Sequence, residues 1–162
     1  MKIGVISDTH MPEKAKVLPP KLCAQLKKCD MIIHAGDMVT PEVIDALGRL
    51  CRDVKAVCGN MDPEPVRKQF PEKQIIRAGK FRIGLKHGYG PPSRLLEVMK
   101  EAFREDNVDM VIFGHSHNPL NETCGGVIFF NPGSPTDDIC APYKSFGIIE
   151  IGDKIEARIV KL

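Results

Sequence analysis

Five short apolar runs in this chain end in the same way. Residues 2–6, 31–34, 53–57, 81–86 and 109–113 are rich in Ile, Val, Met and Phe, and each is followed within three positions by Asp, Asn or His. In four of the five cases a Gly stands beside that polar residue: Gly36-Asp37, Gly59-Asn60, His87-Gly88 and Gly114-His115. Runs of this composition suit strands buried on both faces. In an open α/β sheet, ligands bind at the carboxyl ends of such strands. His10, His87, His115 and His117 lie at these ends, and the remaining histidine, His34, stands three residues before Asp37.

Between the runs lie helix patterns at 21–28, with Leu22 and Leu26 four apart, and at 93–104, with Leu95, Leu96, Met99 and Phe103 on one face. A third covers 41–50 and buries Val43, Ile44, Leu47 and Leu50, with Thr40 as N-cap and Pro41 at the first helical position. The last third of the chain is β-rich. Segments 121–123 and 127–130 flank Cys124-Gly125-Gly126, and 146–151 and 155–160 flank Gly152-Asp153-Lys154, both with hairpin chemistry. A further hairpin fits 74–85 around Ala78-Gly79-Lys80. The expectation is an α/β domain spanning residues 1–162, with two packed sheets covered by helices, because one parallel sheet does not need so many strands.

Composition excludes several classes of function. A net charge of +2, no Trp and 6% aromatic residues argue against a nucleic-acid partner or an anionic membrane surface. No run approaches the ~20 apolar residues of a membrane span. The first residues read as an opening strand rather than an export signal, so the expected address is the cytoplasm. The six cysteines form no Cys-x-x-Cys pair and read as small apolar core residues, not as a disulfide framework or metal site.

The polar strand ends have metal chemistry. In extended backbone, residues two apart point to one side, which lets Asp8 converge with His10 and His115 with His117. The seven candidate ligands are Asp8, His10, Asp37, Asn60, His87, His115 and His117, too many for one tetrahedral ion. Imidazole, carboxylate and amide oxygen together suit borderline divalent ions such as Mn, Fe, Co, Ni or Zn. Two dications about 3.5–4 Å apart need a bridging carboxylate. Their charge of about +4, less two carboxylates and a hydroxide, leaves roughly +1. Such a site favours an anionic substrate, with phosphate the obvious one.

As an ordered set, Asp8-x-His10, Gly36-Asp37, Gly59-Asn60, His87-Gly88 and Gly114-His115-x-His117 resemble the calcineurin-like metallophosphoesterase superfamily. With Asn131-Pro132-Gly133-Ser134 near the end, the short chain resembles its small YfcE-like phosphodiesterase branch. The resemblance implies a four-layer sandwich of two mixed β-sheets flanked by α-helices. It implies one metal held by Asp8, His10, Asp37 and His117, and a second held by Asp37, Asn60, His87 and His115, with Asp37 bridging. Mn or Ni is the implied metal, with Fe, Co or Zn as alternatives. Asp37, Asn60 and His115 are the members of this set expected to serve the reaction itself.

One position departs from the pattern. Many members of the superfamily carry His directly after the Asn, where this chain has Met61, and a thioether cannot donate a proton. The expected activity is therefore slow hydrolysis of a small phosphodiester by metal-bound hydroxide, favouring esters with acidic leaving groups. Phosphomonoesterase or nucleotidase activity in the same site, or a non-catalytic scaffold like the retromer subunit of this fold, are the alternatives. Strand edges in the β-rich part leave a homo-oligomer open. Several nearby residues receive bland readings: His34 as a satisfied core histidine, Ser116 as a spacer, Asp62 as structural, and Lys86 and Arg94 as solvated surface. Segment 131–134 reads as a tight turn, and 132–143 as a surface loop in a position to border the pocket. Tyr143 and Phe146 either line the cleft or only pack.

Overall fold

The computed structural model describes residues 1–162 and contains ten strands. In chain order these are β1 (Lys2–Ile6), β2 (Met31–His34), β3 (Val54–Ala56), β4 (Lys73–Ala78), β5 (Phe81–Lys86), β6 (Met110–Ile112), β7 (Leu120–Cys124), β8 (Val127–Asn131), β9 (Ser145–Ile151) and β10 (Ile155–Lys161). The α-helices are α1 (Pro20–Leu26), α2 (Glu42–Gly48), α3 (Glu64–Gln69) and α4 (Leu95–Ala102), the last preceded by a 3-10 turn at Pro92–Arg94. One sheet has the order β10-β9-β1-β2-β3 and the other β4-β5-β6-β8-β7.

Alternation along the strands builds the layers. Ile3 and Val5 of β1, Met31 and Ile33 of β2, and Met110 and Ile112 of β6 belong to the core between the two sheets. Their neighbours Ile6 and Ile32 face outward and meet Leu22 and Leu26 of α1, Val43 and Leu47 of α2, and Val66 of α3. On the far side, Val111 and Phe129 meet Leu95, Met99 and Phe103 of α4. The result is the four-layer sandwich, with helices on both outer faces.

Both sheets are mixed, as expected. β1, β2 and β3 are parallel, with Ile3 opposite Met31 and Ile32 opposite Val54, while β9 and β10 are added antiparallel. In the other sheet β5, β6 and β8 are parallel, and β4 and β7 form antiparallel edges. The loops after the parallel strands of the two sheets meet at one end. There the Gly114 N–H donates to His87 O at 2.9 Å, and the Asp8 N–H to Gly36 O at 3.0 Å.

Some local expectations need correction. Thr40 makes no side-chain cap. Pro41 instead precedes α2, and the Val43 N–H donates to the Thr40 carbonyl. Ile44 and Leu50 are only half-buried, because α2 ends at Gly48 and its inner face is two residues wide. Helix α3 has no strong apolar period. Its signature is Pro65 in the first turn, where a missing N–H costs no intrahelical bond.

Candidate metal centre

All seven donors singled out from the sequence lie at this one end of the sandwich. Asp8, His10, Asp37 and His87 are buried, His115 and His117 half-buried, and Asn60 exposed. Two trios drawn wholly from these seven have ligand atoms within 4.8 Å of one another: Asp8, His10 and His117, and Asp8, Asp37 and His87. Asp8 belongs to both. Asp37 also spans them, since its Oδ2 is 3.1 Å from His87 Nε2 and 3.8 Å from His10 Nε2. Asn60 and His115 stand outside the trios. Their Oδ1 and Nδ1 atoms contact each other at 2.9 Å, and the His115 ring stands edge-on to His87 at 5.5 Å.

The convergence does not arise from extended backbone, as the spacing suggested. Asp8, His10, Asp37, His115 and His117 all have left-handed backbone, with φ of 54°, 41°, 56°, 70° and 55°. Each such residue costs on the order of 1–3 kcal/mol unless its surroundings hold it. Here a polar scaffold does so. Asp62, buried, accepts from the N–H groups of Asp37 (3.0 Å), Val39 (2.7 Å) and Gly59 (2.7 Å), which ties the Asp37 loop to the Asn60 loop. The His115 N–H donates to the Asp8 carboxylate at 3.1 Å. Two glycines allow the carboxylates in: a Cβ on Gly59 would stand 2.1 Å from Asp37 Oδ1, and one on Gly114 2.7 Å from Asp8 Oδ2.

Segment 131–137 corrects the reading of a plain turn and surface loop. All seven residues are buried. Asn131 Nδ2 donates to Gly114 O (2.9 Å) and Ser116 Oγ (3.0 Å), Ser134 Oγ to Asp8 O (2.8 Å), and Thr136 Oγ1 to Thr9 O (2.8 Å). This segment holds the metal-type loops from behind. Its Asp137 accepts from His117 Nδ1 and was missed in the sequence; the only signal was a polar run inside a β-rich, otherwise apolar stretch. Ser116 is a loop anchor with no base beside it. Phe146 and Tyr143 pack, the former in the helix-side core and the latter under Lys161 Nζ at 3.9 Å.

The histidine hydrogen bonds select which nitrogen faces the centre. The His87 Nδ1–H donates to Ala35 O at 2.7 Å, and Asp137 takes the His117 Nδ1–H, so both rings present Nε2 inward. His34 is satisfied and turned away: its Nε2 meets Thr9 Oγ1 at 3.0 Å and its Nδ1 accepts from the Gly36 N–H at 3.2 Å. Burial pushes His34 down to about 4, against the pull of Asp62 and Asp8, so it is neutral. His87 goes the other way. Burial opposes its charge, but Asp8 and Asp37 outweigh that and lift it to about 9. Burial would likewise raise the Asp8 and Asp37 carboxyls, yet the neighbouring imidazoles hold both below the ordinary range.

Two features fit divalent cations here. His87 Nε2 is buried without a well-aligned hydrogen bond. His10 Nε2 and His117 Nε2 face each other at 3.2 Å beside two carboxylates; with the His117 proton on Nδ1 the pair makes a hydrogen bond from His10 to His117, and the same two nitrogens with the carboxylates form a donor set suited to a divalent cation.

A depression of about 160 Å³ adjoins the centre and is lined by Asn60, Arg67, Glu72, Lys86, His87 and Tyr89 among others. Lys86, read from the sequence as solvated surface, is half-buried in its wall; Arg94 is exposed, as read. The cysteines are all free. Cys29 and Cys58 are buried and Cys23, Cys51 and Cys124 half-buried, but Cys140 is exposed, with its Sγ near His117 and Asp137. No helix is long and apolar enough to cross a membrane.

Comparisons with known proteins bear on the fold and the family. A probable metallophosphoesterase of Methanocaldococcus jannaschii is 38% identical over 165 residues, covering 100% of this chain and 82% of that protein. The structure of an archaeal phosphodiesterase superposes with a TM-score of 0.80 at 25% identity, over 100% of both chains. The Entamoeba histolytica Vps29 structure in complex with Zn2+ gives a TM-score of 0.79 at 28% identity, over 99% of each chain. The sequence profile of the calcineurin-like phosphoesterase superfamily domain matches residues 1–154, and the chain belongs to that family of metal-dependent phosphoesterases.

Proposed function

We propose that the protein is a two-metal phosphodiesterase acting on small phosphodiesters. The facing Nε2 atoms of His10 and His117, set against the shared carboxylates of Asp8 and Asp37, carry this reading. Asp8, His10, Asp37 and His117 would hold one ion, and Asp37, Asn60, His87 and His115 the other, with Mn or Ni as the favoured metals. When bound, the ions would polarise the phosphoryl oxygens and lower the pKa of water to supply the nucleophile.

The chain's own residues orient and compensate. Asp137 and the Ala35 carbonyl fix the tautomers of His117 and His87. Asn60, exposed at the rim, keeps its amide N–H pair free for a phosphoryl oxygen while its Oδ1 meets His115. Nothing at position 61 donates a proton, since the Met61 side chain is a thioether, 58% exposed. Turnover should therefore favour leaving groups that depart as anions.

The test is elemental analysis together with a metal-dependence series on bis(4-nitrophenyl) phosphate. D37N and H117A are expected to lose bound metal and activity together. Full activity after exhaustive chelation sinks the proposal. Zero turnover with two ions bound would favour the non-catalytic, scaffold-like reading that the Vps29 likeness raises.

A further inference from the structure

The depression beside the centre has a charge pattern of its own. Lys86, half-buried where β5 runs out, has neither an ion-pair partner nor a side-chain hydrogen bond. Arg67 is held in place by neutral groups: its Nε donates to Asp62 O and its terminal nitrogen to Asn60 O, both at 2.7 Å. Carbonyls orient a guanidinium without cancelling its charge, and its other N–H groups stay free. Glu72 also lines the depression, yet pairs with neither cation. Two cations against one carboxylate leave a net positive wall, next to a centre that itself prefers anions.

Size narrows the ligand. At about 160 Å³ the space is well below the ~300 Å³ at which pockets for drug-sized ligands begin, so it takes a group such as phosphate rather than a nucleoside. Tyr89 stands at its rim, 60% exposed, between Gly88 and Gly90, and the Gly90 carbonyl is tied to His115 Nε2 at 2.9 Å. An exposed aromatic side chain thus belongs to the wall of the depression, in the segment that also contacts His115.

Resting on the phosphodiesterase reading, we propose that this depression receives a second phosphate carried by the substrate. The preferred esters would be phosphodiesters of a nucleotide that bears a further phosphate on its sugar. Lys86 is the specificity-determining residue, Arg67 the fixed second cation, and Tyr89 the surface against which the sugar or base packs.

The test uses two esters with the same leaving group, thymidine 5′-(4-nitrophenyl phosphate) and its 3′-phosphorylated counterpart, with the manganese-loaded protein. The wild type is expected to prefer the 3′-phosphorylated ester about tenfold in kcat/KM, mostly through KM. K86M should bring that ratio close to one and K86R should retain it. In parallel, calorimetry compares thymidine 3′,5′-bisphosphate with thymidine 5′-monophosphate, and the same preference and the same loss in K86M are expected. A wild type that does not discriminate within either pair overturns the proposal, as does a preference that survives K86M. If neither ester is turned over while the calorimetric preference and its loss in K86M hold, the depression stands as a phosphate site and the catalytic reading is what fails.

Discussion

Asp137 shows how a single side chain conditions the centre through the histidine it contacts. Its carboxylate takes the Nδ1–H of His117 and is steadied by the Ile139 and Cys140 N–H groups and by Lys14. D137N keeps an acceptor for the main chain but removes the charge behind the imidazole. Removing such an outer partner weakens metal binding by about 10–100-fold. That is the expected result for D137N in a titration against a chelating dye, with the thermal midpoint nearly unchanged; affinity within twofold of wild type would remove Asp137 from the site. The seven residues gathered at this end of the sandwich were legible in the sequence because each follows the end of an apolar strand, where Asp, Asn or His stands out against the run before it. Asp137 was not, since a carboxylate that gathers a histidine, a lysine and two main-chain N–H groups has no spacing signature. Asp62 was rightly read as structural, although its three N–H partners come from two loops that only the fold brings together.

At the scale of elements, the loops after β2 and β3 behave as one unit because Asp62 joins them. D62A leaves the buried N–H groups of Asp37, Val39 and Gly59 without an acceptor, at about 1–3 kcal/mol each taken singly and less in sum. A loss of about 3–5 kcal/mol in urea unfolding is expected, with D62N losing less because one amide oxygen remains. G59A tests the same junction differently. Its Cβ would meet Asp37 Oδ1 at 2.1 Å, so it should displace the carboxylate and lower metal content while the sheets stay intact by circular dichroism. Retained metal in G59A would mean the loop yields without moving Asp37. Strands were read well because β1 and β2 are short, mostly apolar runs and β5 carries the apolar stretch Ile83–Leu85, each followed by a polar end. α3 was not, because a proline at its N-cap and another in its first turn look like a loop until the surrounding Val66 contacts are known. The buried segment 131–137 was hidden for a related reason: its hydrogen bonds, unlike a hydrophobic face, leave no periodic trace.

The sandwich as a whole carries opposed histidines at its centre, and this sets a pH response for the metal-free protein. His34 has its folded pKa pushed from 6.5 down to about 4, so the unfolded chain binds a proton that the native one refuses, and stability falls as pH drops from 6.5 toward 4. His87 has its pKa lifted from 6.5 to about 9, so its contribution is complete below pH 6.5 and is lost as pH rises through 9. Each displacement corresponds to roughly 3 kcal/mol across its window, to order of magnitude. The chelated protein should therefore be most stable near pH 6.5, and urea midpoints read from pH 4.5 to 9 should form a peak there. Cations and the His87 proton compete for the same Nε2 lone pair. With manganese the fall above pH 6.5 should disappear, and the gap between loaded and chelated midpoints should widen steadily from pH 6.5 to 9. Calorimetric titration of metal at pH 7 in buffers of different ionisation enthalpy should show net proton release. A gap that does not depend on pH, with no proton released, would mean that His87 gives up nothing when metal arrives and is not a ligand.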